Sequence, residues 1–268
     1  MLLKARRQVY TLLSGRSLSK LYGEGYDFAE LREYRVGDDI RKINWTVTAK
    51  LGTPYVKELH ADRELSVSVA AMLDGGVFCD QRNDKQSTIA YICALLGYAA
   101  YQGGDLFSGT IFTQKETFSI APTKSVFEIE RFVNRIYEAS LLHTNLQTAT
   151  ATEELFRKLL KPSLLFVVGD FLSPVDLSLL AQRHEVIAIV VRHPEEESPQ
   201  IDAEVNLYDP KSGNTKDLAF THKAKRGYLA KKEAHDEALY AHFAQHRIRH
   251  IKILSDEEPL GKLLALFR

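Results

Sequence analysis

The sequence predicts an α/β fold: a doubly wound, mainly parallel sheet with helices on both faces, preceded by an N-terminal accessory segment. Three observations predict it. Past Glu64, short apolar runs rich in β-formers alternate with segments of helical period, as strand–helix–strand units require. Two of those runs, Leu164 to Val168 and Val186 to Val191, are apolar throughout, as strands covered on both faces are. Before Glu64 the texture changes to charges, glycines and aromatics with no sustained period, which reads as loops and short elements. The expected organisation is therefore an accessory segment over 1–62 and an α/β domain over 63–268.

Taken in order, Leu2 to Leu13 has the pattern of a short helix, and Ser14 to His60 is irregular. Leu65, Val67, Val69, Ala71 and Leu73 then recur with period two, while Ser66, Ser68, Ala70 and Met72 make a second face small enough for close helix packing. Gln86 to Tyr101 reads as a helix, Leu106 to Phe112 as a strand and Thr117 to Ile120 as its antiparallel return. Val126, Ile129, Val133 and Ile136 give Val126 to Tyr137 a helical stripe. A helix over Glu153 to Leu160 stops before Pro162. Strands at Ser163 to Val168 and Glu185 to Val191 bracket a short helix after Pro174. Asp202 to Phe220 reads as a hairpin turning at Lys211-Ser212-Gly213-Asn214. A long helix over Lys225 to Gln245, a strand over Ile248 to Leu254 and a helix after Pro259 complete the chain.

Composition narrows the function classes. The 268 residues are 45% hydrophobic and 26% charged, enough to bury a full core without metals or disulfides. Lys plus Arg equals Asp plus Glu at 35 each, so no overall basic field gathers nucleic acid. The two cysteines, Cys79 and Cys93, form no CxxC and suit a reducing cytosol as buried small apolar groups. The apolar runs are too short to span a bilayer, and no stretch has signal-peptide length. The expected location is cytoplasmic, with peripheral contact to a membrane complex left open.

In open α/β sheets functional groups collect beyond the carboxyl ends of the strands. Asp74 and Asp170 stand there; they could hold a divalent cation or cap their loops, and position alone favours capping. His235, His242 and His246 share one helical stripe, but Phe243 stands where a metalloprotease helix needs glutamate, so a solvated face is preferred. No Gly-x-Ser-x-Gly elbow or P-loop occurs. Gly23-Glu24-Gly25 lacks the third glycine of a dinucleotide fingerprint, and no cofactor is expected.

Asp74 at the end of the first strand of the domain, the Thr144-Asn145-Leu146 turn and Val168-Gly169-Asp170-Phe171 look like parts of a von Willebrand factor A-type domain, a Rossmann-type fold. That family's metal-ion-dependent adhesion site uses Asp-x-Ser-x-Ser, a Thr and a further Asp. Here Asp74-Gly75-Gly76-Val77-Phe78 has lost both hydroxyls, to Gly76 and Phe78, while Asp74, Thr144 and Asp170 match. The resemblance implies a vestigial site that binds Mg²⁺ weakly or not at all.

A denser set of signatures precedes the domain: Gly23-Glu24-Gly25-Tyr26-Asp27-Phe28, Leu31-Arg32-Glu33-Tyr34, Gly37-Asp38-Asp39-Ile40-Arg41, Ile43-Asn44-Trp45, Tyr55-Val56-Lys57-Glu58 and Arg63-Glu64. This segment resembles the bacterial family of unknown function numbered 58, which joins it to a von Willebrand A-like domain. Asn44 stands where that family commonly has Asp, and Lys50 where it commonly has Arg. Gly25, Phe28, Arg32, Tyr34, Gly37, Asp38, Asp39, Arg41, Trp45 and Glu58 are the signature positions. The segment reads either as a clasp of ion pairs and aromatics fastened to the domain, which is favoured, or as a recognition surface. The clasp reading expects Trp45 buried and Arg32 or Arg41 paired with an acid.

The resemblance implies a non-enzymatic adaptor or co-chaperone, working with a MoxR-type AAA+ ATPase because this family commonly accompanies such ATPases. One alternative is a metal-dependent hydrolase using Asp38, Asp39, Asp74 or Asp170. The other is a nucleic-acid binder using Lys4, Arg6, Arg7, Arg16 and Lys20, although nucleic acid is not expected.

Overall fold

A computed structural model describes residues 28–36, 38–59, 65–78, 84–200 and 204–266. They fall in two compact units, one within 10–64 and the other running from 65 onward. The expected helix over Leu2 to Leu13, the basic residues of the nucleic-acid alternative, Gly25, Gly37 and Cys79 lie outside the described residues.

The smaller unit is a hairpin with a short helix. Strand β1 (Phe28–Glu33) pairs antiparallel with β2 (Tyr55–Leu59), Phe28 opposite Leu59 and Glu30 opposite Glu58. Between them lie a 3-10 turn over Ile40–Lys42 and α1 (Trp45–Leu51). Asn44 caps α1 by accepting from Val47 N at 3.4 Å, and Gly52 ends it at φ 77°, a left-handed position that glycine fills without strain. Asn and Asp cap about equally well, so the Asn44 departure from the family pattern costs the local fold nothing.

The larger unit is a mixed α/β structure around a six-stranded, mostly parallel sheet flanked by helices. Its elements are β3 (Ser66–Met72), α2 (Asp84–Gly103), β4 (Leu106–Phe112), β5 (Thr117–Thr123), α3 (Val126–Tyr137), α4 (Thr148–Lys158), β6 (Leu164–Gly169), α5 (Ser178–Ala181), β7 (Glu185–Arg192), α6 (Pro194–Glu197), β8 (Glu204–Tyr208), β9 (Thr215–Ala219), α7 (His222–Gln245), β10 (Arg249–Leu254) and α8 (Pro259–Leu266). The sheet runs β10-β7-β6-β3-β4-β5, with only β5 antiparallel. From β3 the chain builds outward to β4 and β5, then returns to the other side of β3 for β6, β7 and β10. The strand order therefore reverses between β3 and β6.

The core explains the double alternation in the sequence. Ala70, Met72, Leu165, Val167, Val186, Ala188 and Val190 face one cluster with Ala151, Leu155, Leu239 and Phe243 from α4 and α7. Val67, Val69 and Ala71 are equally buried on the opposite side of β3, as the period of two demands. Ser68 sits on the first face because its hydroxyl is satisfied by Ser108 Oγ at 2.8 Å. Gly109 of β4 lets α3 approach closely: a Cβ there would stand 2.6 Å from the Phe132 ring.

Most expected elements stand within a few residues of the reading. The helix expected from Glu153 begins at Thr148, and the turns over Gly75–Val77 and α6 were not anticipated. Strands β8 and β9 form the hairpin expected over Asp202 to Phe220, in a two-stranded sheet of their own.

Candidate functional site

Asp74 and Asp170 follow the carboxyl ends of β3 and β6, the neighbouring strands between which the order reverses. That is where an open α/β sheet leaves a crevice, because the connections on its two sides diverge. Both carboxylates are buried, at 6% exposure, and each first stabilises its own loop. Asp74 Oδ1 accepts from Gly76 N at 2.8 Å, capping the Gly75–Val77 turn. Asp170 Oδ1 accepts from Leu172 N at 3.1 Å. Beyond it, Phe171 takes φ 50°, a left-handed conformation that strains a bulky residue. Its carbonyl accepts from His235 Nε2 at 2.8 Å and from Arg192 at 3.4 Å.

A buried carboxylate needs a counter-charge, and two lysines supply it. Lys211, in the turn between β8 and β9, donates from Nζ to Asp74 Oδ2 at 2.7 Å and to Ser173 Oγ at 2.7 Å. Lys85, in the first turn of α2, is fully buried. Its ammonium binds the Gly76 carbonyl and the Glu196 carboxylate and lies 3.7 Å from Asp170 Oδ2. Glu196 is held by α6, where it also accepts from His193 N at 2.9 Å. Its neighbour Glu197 binds Lys232 at 2.6 Å and Lys252 at 2.8 Å. Burial alone would raise the Glu197 pKa, but those two hydrogen bonds prevail and hold it below the usual glutamate value.

At Gly76 no side chain fits. A Cβ on Gly76 would lie 2.6 Å from Asp170 Oδ2, 2.8 Å from Lys211 Cε and 2.9 Å from Asp74 Oδ1. The two carboxylates and the Lys211 stem thus crowd the space beside Gly76. Thr144 is beside them, its carbonyl accepting from Gly75 N at 2.9 Å, but its own hydroxyl donates to Leu141 O at 2.6 Å. Asp170 Oδ2 is buried and accepts no hydrogen bond. The cleft beside the carboxylates, bounded by Met72, Leu146, Thr148, Phe171, Ser173 and Val175, measures about 20 Å³, room for one water. Among the described residues, no group of three or more His, Cys, Asp or Glu side chains could hold a metal ion.

The histidine stripe is not the solvated face expected of it. His235 and His242 are half-buried because this side of α7 packs on the loop after β6. His242 Nε2 accepts from Leu177 N at 3.1 Å, and burial holds its pKa below the ordinary histidine value. Cys93 is buried in α2, and that burial pushes its thiol pKa strongly upward.

In the smaller unit Arg32 makes a two-pronged ion pair with Asp38, 2.7 Å on each prong, and Asp38 also accepts from Arg35 N at 2.7 Å. Those bonds, the Arg32 guanidinium first, hold the Asp38 pKa at about 2. Asp39 accepts from Arg41 N at 3.0 Å, so both acids of the Gly37-Asp38-Asp39 signature are engaged locally. Tyr34 N donates to Pro54 O at 2.8 Å, tying the signature to the hairpin. Trp45, expected buried, is 67% exposed, alongside Ile40 at 66%. The reason is local: Trp45 is the first residue of α1, a helix that buries none of its residues.

Lys211, Lys85, Ser173 and Glu196 are the residues that sequence reasoning missed. A lysine in a polar turn and another at a helix start look solvated. The available signal was indirect: two acids gathered at a strand-end crevice must be neutralised by something.

A family model described as "Protein of unknown function DUF58" matches residues 30–238. Uncharacterized proteins of Mycobacterium bovis and Mycobacterium tuberculosis are each 27% identical over 237 residues, covering 81% of this chain and 71% of the relative. Among solved structures, a conserved hypothetical protein, BatB, from Bacteroides thetaiotaomicron superposes with TM-score 0.42 at 10% identity, covering 75% of this chain and 95% of its own. An aerotolerance-related membrane protein from Bacteroides fragilis superposes with TM-score 0.41 at 9% identity, covering 75% and 98%. No helix of the described residues is long and apolar enough to cross a membrane.

Proposed function

The chain belongs to the DUF58 family, and from that premise we propose that it is a non-enzymatic protein-interaction adaptor built on a von Willebrand A-type domain. The observation that carries this reading is the state of the crevice. Its two carboxylates are already neutralised by Lys211 and Lys85, and the space beside them holds about one water. A metal-dependent hydrolase would need those oxygens free for an ion and a concave site for substrate. Asp38 and Asp39, the other acids of that alternative, serve a local ion pair and a turn.

The partner is a MoxR-type AAA+ ATPase. Support for that class is family likeness. The location that suits it is the cytoplasm, with any membrane contact peripheral. Affinity capture with the full chain, with and without ATP, followed by binding between the two purified proteins, tests the reading. A MoxR-type ATPase that binds in the purified pair supports it. A purified pair that does not bind, or metal-dependent turnover lost in Asp170→Ala, overturns it.

A further inference from the structure

We propose that the outer edge of β5 and the groove beside α3 bind an extended, acidic-ended peptide by strand addition. The inference rests on the adaptor reading and locates a client contact for it. β5 ends the six-stranded sheet, with β4 as its one neighbour among the described residues. The turn joining the two closes with Thr113 N donating to Glu116 O at 3.1 Å, a hydrogen-bonded pair. Such pairs alternate along antiparallel strands, so Phe118 and Ile120 bond β4, opposite Ile111 and Gly109. Thr117 and Ser119 therefore turn their amides and carbonyls away from the sheet. Phe112 O, opposite Thr117, follows the same alternation, accepting from Leu73 N at 2.9 Å on the β3 side. The sheet's two edges differ in their defences. β10 carries Arg249, His250 and Lys252, charges that discourage another chain from pairing there. β5 has no charged residue, and Pro122, tolerated at an edge, leaves Thr117 to Ala121 open for pairing.

The surroundings set the chemistry of the occupant. Outward backbone groups call for an extended main chain, whose side chains then alternate between two faces. On the α3 face lies an open groove of about 670 Å³ containing Phe118 and Phe127, the latter 68% exposed. Arg131 lies over the Phe118 ring at 5.4 Å, so an aromatic or long aliphatic side chain fits there. On the α4 face Thr117 Oγ1 donates to Glu154 at 3.2 Å and Lys158 Nζ donates to Ser119 Oγ at 3.2 Å, a polar surface that suits small hydroxyl side chains. Lys115 and Lys124 bracket the strand. The acids near it are engaged, Glu116 by Arg135, Glu128 by Arg131 and Glu154 by Lys158. Acidic ends on the peptide complement that bracket. A second copy of the chain fits less well. Antiparallel pairing of two β5 edges about Ser119 would bring the two Lys158 side chains together and set each Lys115 beside the other copy's Lys124.

The test is fluorescence anisotropy of labelled peptides Glu-Thr-x-Thr-x-Thr-Glu, x being Phe, Tyr, Leu or Ile, titrated with the full chain. Controls are the same peptides with Lys at both ends, and with alternate backbone amides N-methylated. Ser119→Pro removes an outward amide without touching a bond to β4, and Phe127→Ala strips an exposed ring from the groove. Thermal melts select the variants that are folded. The expected result is saturable binding, weakened about tenfold or more by the Lys ends, by N-methylation of one alternate set, by Ser119→Pro and by Phe127→Ala. No saturable binding by any peptide of the set, or binding indifferent to N-methylation and to the folded variants, overturns the inference. Self-association of the chain that is lost in Ser119→Pro overturns it in favour of a second copy. A chain that binds the ATPase but no peptide loses this contact alone, whereas one that binds peptide but no ATPase keeps the contact and loses the proposed partner.

Discussion

Replacing Lys85 with methionine keeps the apolar stem and removes the ammonium from a position with no solvent exposure. Three groups lose their donor or counter-charge: the Glu196 carboxylate, the Asp170 carboxylate and the Gly76 carbonyl. Breaking a buried pair by removing one partner costs about 3–5 kcal/mol, since the remaining charge is left uncompensated. Glu196 has 16% exposure and can turn partly to water, which places the expectation near the lower end, about 3 kcal/mol. For a unit of this size that corresponds to a melting temperature lower by roughly 6–12 °C. Urea titration and calorimetry at neutral pH measure it. Arg157→Ala is the control, because the Arg157–Glu153 pair is 71% and 62% exposed and should change stability by less than about 0.5 kcal/mol. Adding Glu196→Gln should cost much less in the Lys85→Met background than alone, with a coupling of about 1 kcal/mol or more. A Lys85→Met protein within about 1 kcal/mol of the original would refute the claim that this ammonium neutralises the crevice.

Two further outcomes concern the smaller unit. Trp45→Ala should cost less than about 1 kcal/mol, because the indole is mostly exposed, and native tryptophan emission should already lie near that of the unfolded chain. A blue-shifted native emission would restore the buried clasp. The Asp38 pKa is depressed when folded, so its ion pair stabilises above the ordinary carboxylate range and is lost as pH falls from about 4 through about 2. Carboxyl NMR shifts of Asp38 should follow that window, and Arg32→Ala should move the midpoint upward.

The Arg32–Asp38 pair illustrates what local sequence can reveal. The clasp reading expected Arg32 or Arg41 to meet an acid, and the turn at 35–38 delivers Asp38 to Arg32 within one small hairpin. The expectation for Trp45 failed on a different kind of information. An aromatic among alternating charges has the same pattern whether its helix faces a core or solvent, and α1 buries none of its residues. The histidine stripe failed similarly: spacing placed His235 and His242 on one face, but which loop that face would meet is a tertiary fact.

By itself the sequence determined the class of fold, because side-chain periods of two and 3.6 are imposed by backbone geometry and survive in any single chain. It also placed Asp74 and Asp170 at strand ends, from the lengths of Ser66–Met72 and Leu164–Gly169 and the residues that follow them. Tertiary structure alone decided that those strands are neighbours, that their order reverses between them, and that the carboxylates converge on Gly76. It alone brought Lys211 to Asp74 across 137 residues of chain and Glu196 to Lys85 across 111. Long-range charge pairing of this kind leaves no periodic trace, since one lysine in a polar turn reads the same in solvent or against a buried acid. The crevice's chemistry was therefore set by which loops the sheet's strand order gathers at one edge.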